Sequence, residues 1–321
     1  MQLKEAKQYI ADNYSGKSKK PEDFDEFWEQ ELQHLRSIPI KINKTPSEFQ
    51  FPGSKCFDVS YLSTENSWIA GKYLIPDQAT AENPCPLVVQ FHGYKGGSGD
   101  WSEKLDIVSM GYAVFAMDTR AQGGWSEDRR ITSGSTLSGH KLRGINEGAK
   151  NLLFKDVYLD AVRAVDIFSE EPEIDSEQIM VTGASQGGGI ALACAALHPK
   201  IKKAGVVYPF LIDLDLTWDL KVKNSTIEEI SYYFRQFDPQ EETSEWLFEQ
   251  LAYIDIKNFM SWVKADVLWG CALEDEACLP QGQLAAYNQL NASKEIVFYP
   301  TFRHEPLPMM RDKILQFFSN K

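Results

Sequence analysis

The sequence predicts an α/β fold, a mostly parallel sheet covered by helices on both faces, and three observations carry that expectation. Short apolar runs at 87–91, 112–117, 179–182, 204–208, 267–271 and 295–299 recur with helical segments between them. Strands read this way when neither face of their sheet meets water. Between 151 and 168 the residues Leu153, Val157, Ala161, Val165 and Phe168 follow helical spacing and mark one long covering helix. The third observation is Gly183-Ala184-Ser185-Gln186-Gly187, set between an apolar run and an alanine-rich helix at 188–198.

The earlier elements follow in chain order. Within residues 1–38, Phe24, Phe27, Trp28, Leu32 and Leu35 recur at helical spacing behind an acidic first turn, which predicts an amphipathic helix laid on the outside of the domain. Residues 39–76 alternate apolar and polar side chains, most clearly at 68–75, and predict an antiparallel entry to the sheet. Residues 121–147 are rich in Gly, Ser and Thr without apolar periodicity, and read as a long surface excursion. Residues 213–262 carry helical spacing, many aromatic residues and no strand signal, and read as a helical lid inserted over the sheet's C-terminal edge. The expectation is one domain over 1–321, with 1–38 as an N-terminal helical extension and 213–262 as the insertion.

The glycine-flanked serine is where chemistry enters. G-x-S-x-G places a serine on a sharp strand-to-helix turn whose neighbours two residues away must lack side chains, the nucleophile elbow of the α/β-hydrolase fold. The following helix aims its N-terminal amides and positive dipole end at an anion forming beside Ser185. A serine nucleophile needs a base, and the base needs a carboxylate, in the chain order Ser, acid, His. Only His198 and His304 follow Ser185; His198 falls at the end of the elbow helix, whereas His304 follows the last strand and is the expected base. The acid is expected in the loop after the run at 267–271, which offers Glu274, Asp275 and Glu276. Asp275 is preferred, but spacing alone does not separate the three. Two backbone N–H groups should hold the oxyanion, one on Gln186 and one in the loop His92-Gly93-Tyr94-Lys95-Gly96-Gly97, where Tyr94 is the expected donor and His92 a structural residue. That loop is not a phosphate cradle of the P-loop kind, since no Gly-Lys-Ser/Thr follows.

Composition narrows the setting. The 321-residue chain is 43% hydrophobic and 25% charged, an ordinary globular balance. A net charge of −13 argues against nucleic-acid or anionic-membrane partners. The N-terminal residues lack an apolar h-region and no run approaches the ~18 apolar residues of a membrane span, so a cytoplasmic protein is expected. The five cysteines are scattered and lack metal-type spacing, so free thiols are expected, with no metal and no organic cofactor.

Longer motifs resemble the acetyl xylan esterase / cephalosporin-C deacetylase family. Asp118-Thr-Arg-Ala-Gln-Gly-Gly-Trp-Ser-Glu-Asp128 is close to its D-x-R-G-Q-G-x-S-x-D, Gly183 to Gly187 to its G-x-S-Q-G, and His304-Glu305 to its H-E. Asp275-Glu-Ala-Cys-Leu-Pro280 is similar to its D-x-x-C-x-P stretch. The resemblance implies Ser185 as nucleophile, Asp275 as acid, His304 as base, and Tyr94 and Gln186 as oxyanion donors. It also implies a serine esterase that removes acetyl groups from acetylated xylo-oligosaccharides and cephalosporin C, in a homo-oligomer, often a hexamer. Ala121 stands where the family has the glycine of R-G-Q, and Leu279 where it has the first proline of C-P-P. Other readings of the same residues are a broader carboxylesterase, a peptidase of the same fold, or a non-catalytic scaffold.

Overall fold

The computed structural model describes residues 1–133, 140–222 and 225–320, without the side chains of Ser225 and Thr226. Among the described residues, nine strands form one sheet: β1 (Ile42–Pro46), β2 (Ser54–Leu62), β3 (Trp68–Pro76), β4 (Cys85–Phe91), β5 (Ala113–Met117), β6 (Ile174–Ala184), β7 (Ile201–Val207), β8 (Asp266–Ala272) and β9 (Lys294–Tyr299). Their order is β1-β2-β3-β5-β4-β6-β7-β8-β9. The pairings from β1 through β3 to β5 are antiparallel, and all those from β5 through β4 to β9 are parallel. This is the antiparallel entry followed by a parallel sheet that the sequence predicts. The patterns explain the places: β5 is apolar and buried throughout, whereas β1, an edge strand, is polar and almost wholly exposed.

The helices are α1 (Leu3–Ala11), α2 (Phe24–Ser37), α3 (Leu105–Ser109), α4 (Leu153–Phe168), α5 (Gln186–Leu197), α6 (Leu214–Asp219), α7 (Ser225–Phe237), α8 (Ser244–Leu251), α9 (Pro280–Gln289) and α10 (Met310–Ser319). Helix α2 forms where the aromatic spacing predicts it, with its polar face exposed and its aromatic face set into the core. Trp28 is fully buried, its ring 6.1 Å from that of Tyr158 on α4 and 5.1 Å from that of Phe259. Its indole N–H donates to the Tyr253 carbonyl at 3.0 Å. Burial of a side chain this size contributes about 3 kcal/mol, so α2 is held by tertiary packing more than by its own helical propensity. Helix α1 falls within the expected N-terminal helical extension and packs on α9, where the Asn288 amide donates to the Tyr9 and Tyr14 carbonyls.

Segment 213–262 is helical over α6, α7, α8 and a 3-10 stretch at Ile256–Trp262, with no strand among its described residues. Its two ends are joined through acids: Asp213 accepts from the amides of Lys17 and Ser18 at 2.8 Å each, and Asp255 accepts from the Ser18 hydroxyl and the Asp213 amide. Lys257 closes the arrangement by donating to the carbonyls of Ser15 and Ser18. Burial, and next the charge of Asp213, push the Asp255 carboxyl up to about 6.

Of the excursion at 121–147, residues 134–139 lie outside the described residues; the part before them runs largely over the surface, with Trp125 and Ile131 exposed, whereas the part after them is anchored inward. Arg130, Lys141, Leu142 and Ile145 are buried. The Glu229 carboxylate on α7 accepts from the amides of Lys141 and Leu142, at 3.2 and 3.0 Å, and from the Lys141 ammonium. Periodicity misses such a segment because side-chain ionic contacts hold it. Arg120, fully buried, forks onto Asp160 of α4 at 2.7 and 2.6 Å and donates to Thr64 Oγ1 at 3.0 Å. Among the described residues, no helix is long and apolar enough to cross a membrane.

Candidate active site

The parallel register brings four loops to one edge of the sheet. Phe91 at the end of β4 pairs with Gly183 of β6, Gly183 pairs with Val206 of β7, and Ala272 at the end of β8 pairs with Tyr299 of β9. The loops that follow carry His92 to Gly97, Ser185, Glu274 to Cys278, and His304. Ligand sites of open α/β sheets lie at this carboxyl edge.

Ser185 joins β6 to α5 with φ 56° and ψ −123°, a conformation that costs a non-glycine residue roughly 1–3 kcal/mol. The turn holds because Ser185 donates its amide to the Val207 carbonyl at 2.9 Å, while its own carbonyl accepts from Phe210 and Gly189. Only glycine fits on either side: a Cβ on Gly183 would lie 2.3 Å from the Gly187 backbone, and one on Gly187 would lie 2.1 Å from the Phe91 carbonyl.

His304 Nδ1 lies 2.8 Å from Asp275 Oδ2. Asp275 is 2% exposed, and its other oxygen accepts from the amides of Ala277 and Cys278 at 2.8 Å each. Glu274 and Glu276 on either side are exposed. The His304 ring rests on Tyr208 with centroids 4.5 Å apart, and about a third of its side chain, 33%, meets solvent. Cys278 lies close to both this pair and the serine. Its Sγ lies 3.8 Å from Ser185 Oγ, and the ligand-bearing atoms of Asp275, Cys278 and His304 lie within 4.8 Å of one another. Burial, and then the charge of Asp275, push the Cys278 thiol well up. In the sequence this cysteine belongs to the D-x-x-C-x-P stretch, which assigns it no role. The available signal was its place three residues after an acid whose carboxylate folds the loop back onto itself.

The other two expected site residues are Gln186, next to the serine, and Tyr94, in the loop after β4. Gln186 opens α5 and is buried; its side-chain amide exchanges hydrogen bonds with that of Gln122, at 2.8 and 3.0 Å. Gln122 Oε1 also accepts from the Lys95 amide at 3.0 Å, so one amide ties the Tyr94 loop to the elbow helix. The Tyr94 hydroxyl lies 3.4 Å from His140 Nδ1, and the Lys141 ammonium lies 6.0 Å from the Tyr94 ring and 5.5 Å from that of Phe210. His92 has both ring nitrogens engaged, Nδ1 with the Gly93 carbonyl at 2.7 Å and Nε2 accepting from the Thr119 amide at 2.9 Å. Burial lowers its pKa, which keeps it neutral and suited to hold the turn. His198 is the C-cap residue of α5, 3.2 Å from Asp166.

The departures at Ala121 and Leu279 are both accommodated. Ala121 keeps the left-handed turn at φ 60°, and Leu279 has φ −55°, within the range a proline would impose.

Comparison with known proteins identifies the family of the chain. The family model described as Acetyl xylan esterase (AXE1) matches residues 1–321. The crystal structure of acetyl xylan esterase 1 from Thermoanaerobacterium sp. JW/SL YS485 superposes with a TM-score of 0.94 at 40% identity, covering 99% of this chain and 98% of that one. An acetyl xylan esterase from Paenibacillus sp. R4 gives 0.93 at 32% identity, covering 99% of both chains. The acetyl esterase Axe7A of Xylanibacter ruminicola is 23% identical over 293 residues, 89% of this chain, which spans 64% of that relative's length. The chain has the α/β-hydrolase fold and belongs to the acetyl xylan esterase family.

Proposed function

We propose that the protein is a carboxylic ester hydrolase that removes acetyl groups from small acetylated sugars, acetylated xylo-oligosaccharides among them, through Ser185, His304 and Asp275. The observation that carries the reading is the buried Asp275 carboxylate 2.8 Å from His304 Nδ1, at the same sheet edge as a serine held in an elbow. An acceptor at Nδ1 fixes the tautomer that leaves Nε2 free as a base. His304 then takes the proton of Ser185 as its oxygen attacks the acetyl carbonyl. The backbone N–H groups of Gln186 and Tyr94 receive the negative charge on the tetrahedral oxygen. The imidazolium returns the proton to the sugar oxygen, the alcohol leaves, and water repeats the cycle on the acetyl-enzyme to give acetate.

Several finer readings belong to the same proposal. The acetyl ester of cephalosporin C is a second substrate, because the chemistry addresses the acetyl group and leaves the alcohol to the rim. Segment 213–262 acts as a lid within a single domain, supported by the contacts of Glu229 on Lys141 and Leu142. A cytoplasmic homo-oligomer, a hexamer by resemblance, is the expected setting. Trp125 and Ile131, 90% and 99% exposed, are apolar surface that a neighbouring subunit would cover.

The test is kcat/KM for p-nitrophenyl acetate, butyrate and octanoate, with Ser185→Ala as control. The reading requires acetate to win by more than the ~10–200-fold that one methylene is worth in a hydrophobic pocket, with no turnover in the variant. Preference for octanoate would make the enzyme a broad carboxylesterase, and turnover in the variant would mean a different nucleophile.

A further inference from the structure

Cys278 takes no part in the proposed hydrolysis, yet it is the residue whose side chain the structure sets beside Ser185. It completes a sulfur, nitrogen and oxygen donor set with His304 and Asp275, the one such cluster among the described residues. We propose that Asp275, Cys278 and His304 form a site for a thiophilic divalent cation, Zn2+ or Cd2+, whose binding reversibly blocks the serine. The inhibitory half of this proposal rests on the hydrolytic reading above; the binding half stands on the donor geometry alone.

Tetrahedral zinc holds sulfur at about 2.3 Å and nitrogen or oxygen at about 2.0–2.2 Å, which sets its ligand atoms roughly 3.3–3.6 Å apart. The three donor atoms lie within 4.8 Å of one another, so side-chain rotations that move them about an ångström close the site. Ser185 Oγ, already 3.8 Å from Cys278 Sγ, or a water stands at the fourth corner. The loop is fixed in advance, because Asp275 Oδ1 accepts the amide of Cys278 and so holds the thiol at this spacing. Partial exposure of His304 gives the cation its entry. Binding exchanges a proton for the metal: the thiol plus M2+ gives a metal-bound thiolate plus H+. The thiolate and carboxylate together balance the two positive charges. A set containing sulfur and imidazole selects soft or borderline cations over Mg2+ and Ca2+, which prefer all-oxygen ligands.

The experiment uses the full chain. Cd2+ is titrated while the ultraviolet thiolate-to-cadmium absorption is followed, and esterase activity is measured in parallel against Zn2+, Mg2+ and Ca2+. Wild type is expected to develop the band with one equivalent bound. It is expected to lose at least tenfold in rate with submillimolar Zn2+, to recover with EDTA, and to ignore the two hard cations. Cys278→Ala, and Cys278→Ser should the first fold poorly, are each compared with their own metal-free rate. Both are expected to lose that band and to need at least tenfold more Zn2+ for half-inhibition. No band in the wild type, a band of equal strength in both variants, unchanged inhibition in both, or equal inhibition by Mg2+ would each overturn the site. A Cys278-dependent band with undiminished turnover would sustain the cation site and remove the triad reading instead.

Discussion

Asp275→Asn separates orientation of the imidazole from everything else in the site. The wild-type carboxylate accepts on both sides, from His304 at 2.8 Å and from the amides of Ala277 and Cys278 at 2.8 Å each. An asparagine keeps its carbonyl oxygen under the two amides, because its NH2 group would repel them. That choice turns the NH2 group toward His304. A donor then faces Nδ1, so the ring must leave Nδ1 bare and carry its proton on Nε2, where it can take none from Ser185. The loop stays folded while the base is lost. A wrong-tautomer substitution of this kind costs about 10⁴-fold in kcat, or ~5.5 kcal/mol of transition-state stabilisation. The assay is kcat and KM for p-nitrophenyl acetate, with a thermal melt alongside. The expected result is a fall carried by kcat, with KM within a fewfold and the melt little moved. A loss under tenfold in a folded variant would refute the placement of Asp275 as the orienting acid.

Two further perturbations test the frame around the site. Ala121 sits at φ 60°, which costs a residue with a Cβ about 1–2 kcal/mol, against ~0.4–1 kcal/mol for the greater freedom of glycine in the unfolded chain. Ala121→Gly should therefore raise stability by about 0.5–1 kcal/mol in urea unfolding, and a decrease would mean the turn is not strained. Asp255, its carboxyl raised from an ordinary 3.8 to about 6, favours the folded chain when protonated. Its contribution is full below about pH 4 and is lost as pH rises through 6, a change on the order of 3 kcal/mol. The difference in unfolding free energy between wild type and Asp255→Asn should move by that amount between pH 4 and 7, wild type losing ground; an opposite slope would contradict the burial of that charge.

The sequence shows most clearly what hydrophobic periodicity encodes. The six apolar runs of the α/β half all became strands, and the spacing of Leu153, Val157 and Ala161 became α4, because both signals report a face turned from water. The elbow is equally legible, since two glycines around a serine answer to backbone collisions that the structure shows directly. Arg120, Glu229 and Lys141 were not legible as core residues, because a buried ion pair leaves no period behind. Nor could spacing choose among Glu274, Asp275 and Glu276. Burial and two amide donors distinguish Asp275, and both depend on how a loop folds back in space.

The contacts of Ser15 and Ser18 with Lys257 also bear on how the chain is made. Ser18 and Lys257 are 239 residues apart in sequence. At ribosomal rates of about 5–20 residues per second, the partner for Ser18 is synthesised roughly 12–48 s after Ser18 itself. Over that interval Trp28 and Phe24 have no Phe259 to pack on, and their apolar faces stay open to chaperones and proteases. Segment 213–262 therefore sets the moment at which the nascent N-terminal segment becomes protected, and a truncation just before Asp255 should expose the first forty residues to proteolysis while leaving β1 to β7 synthesised.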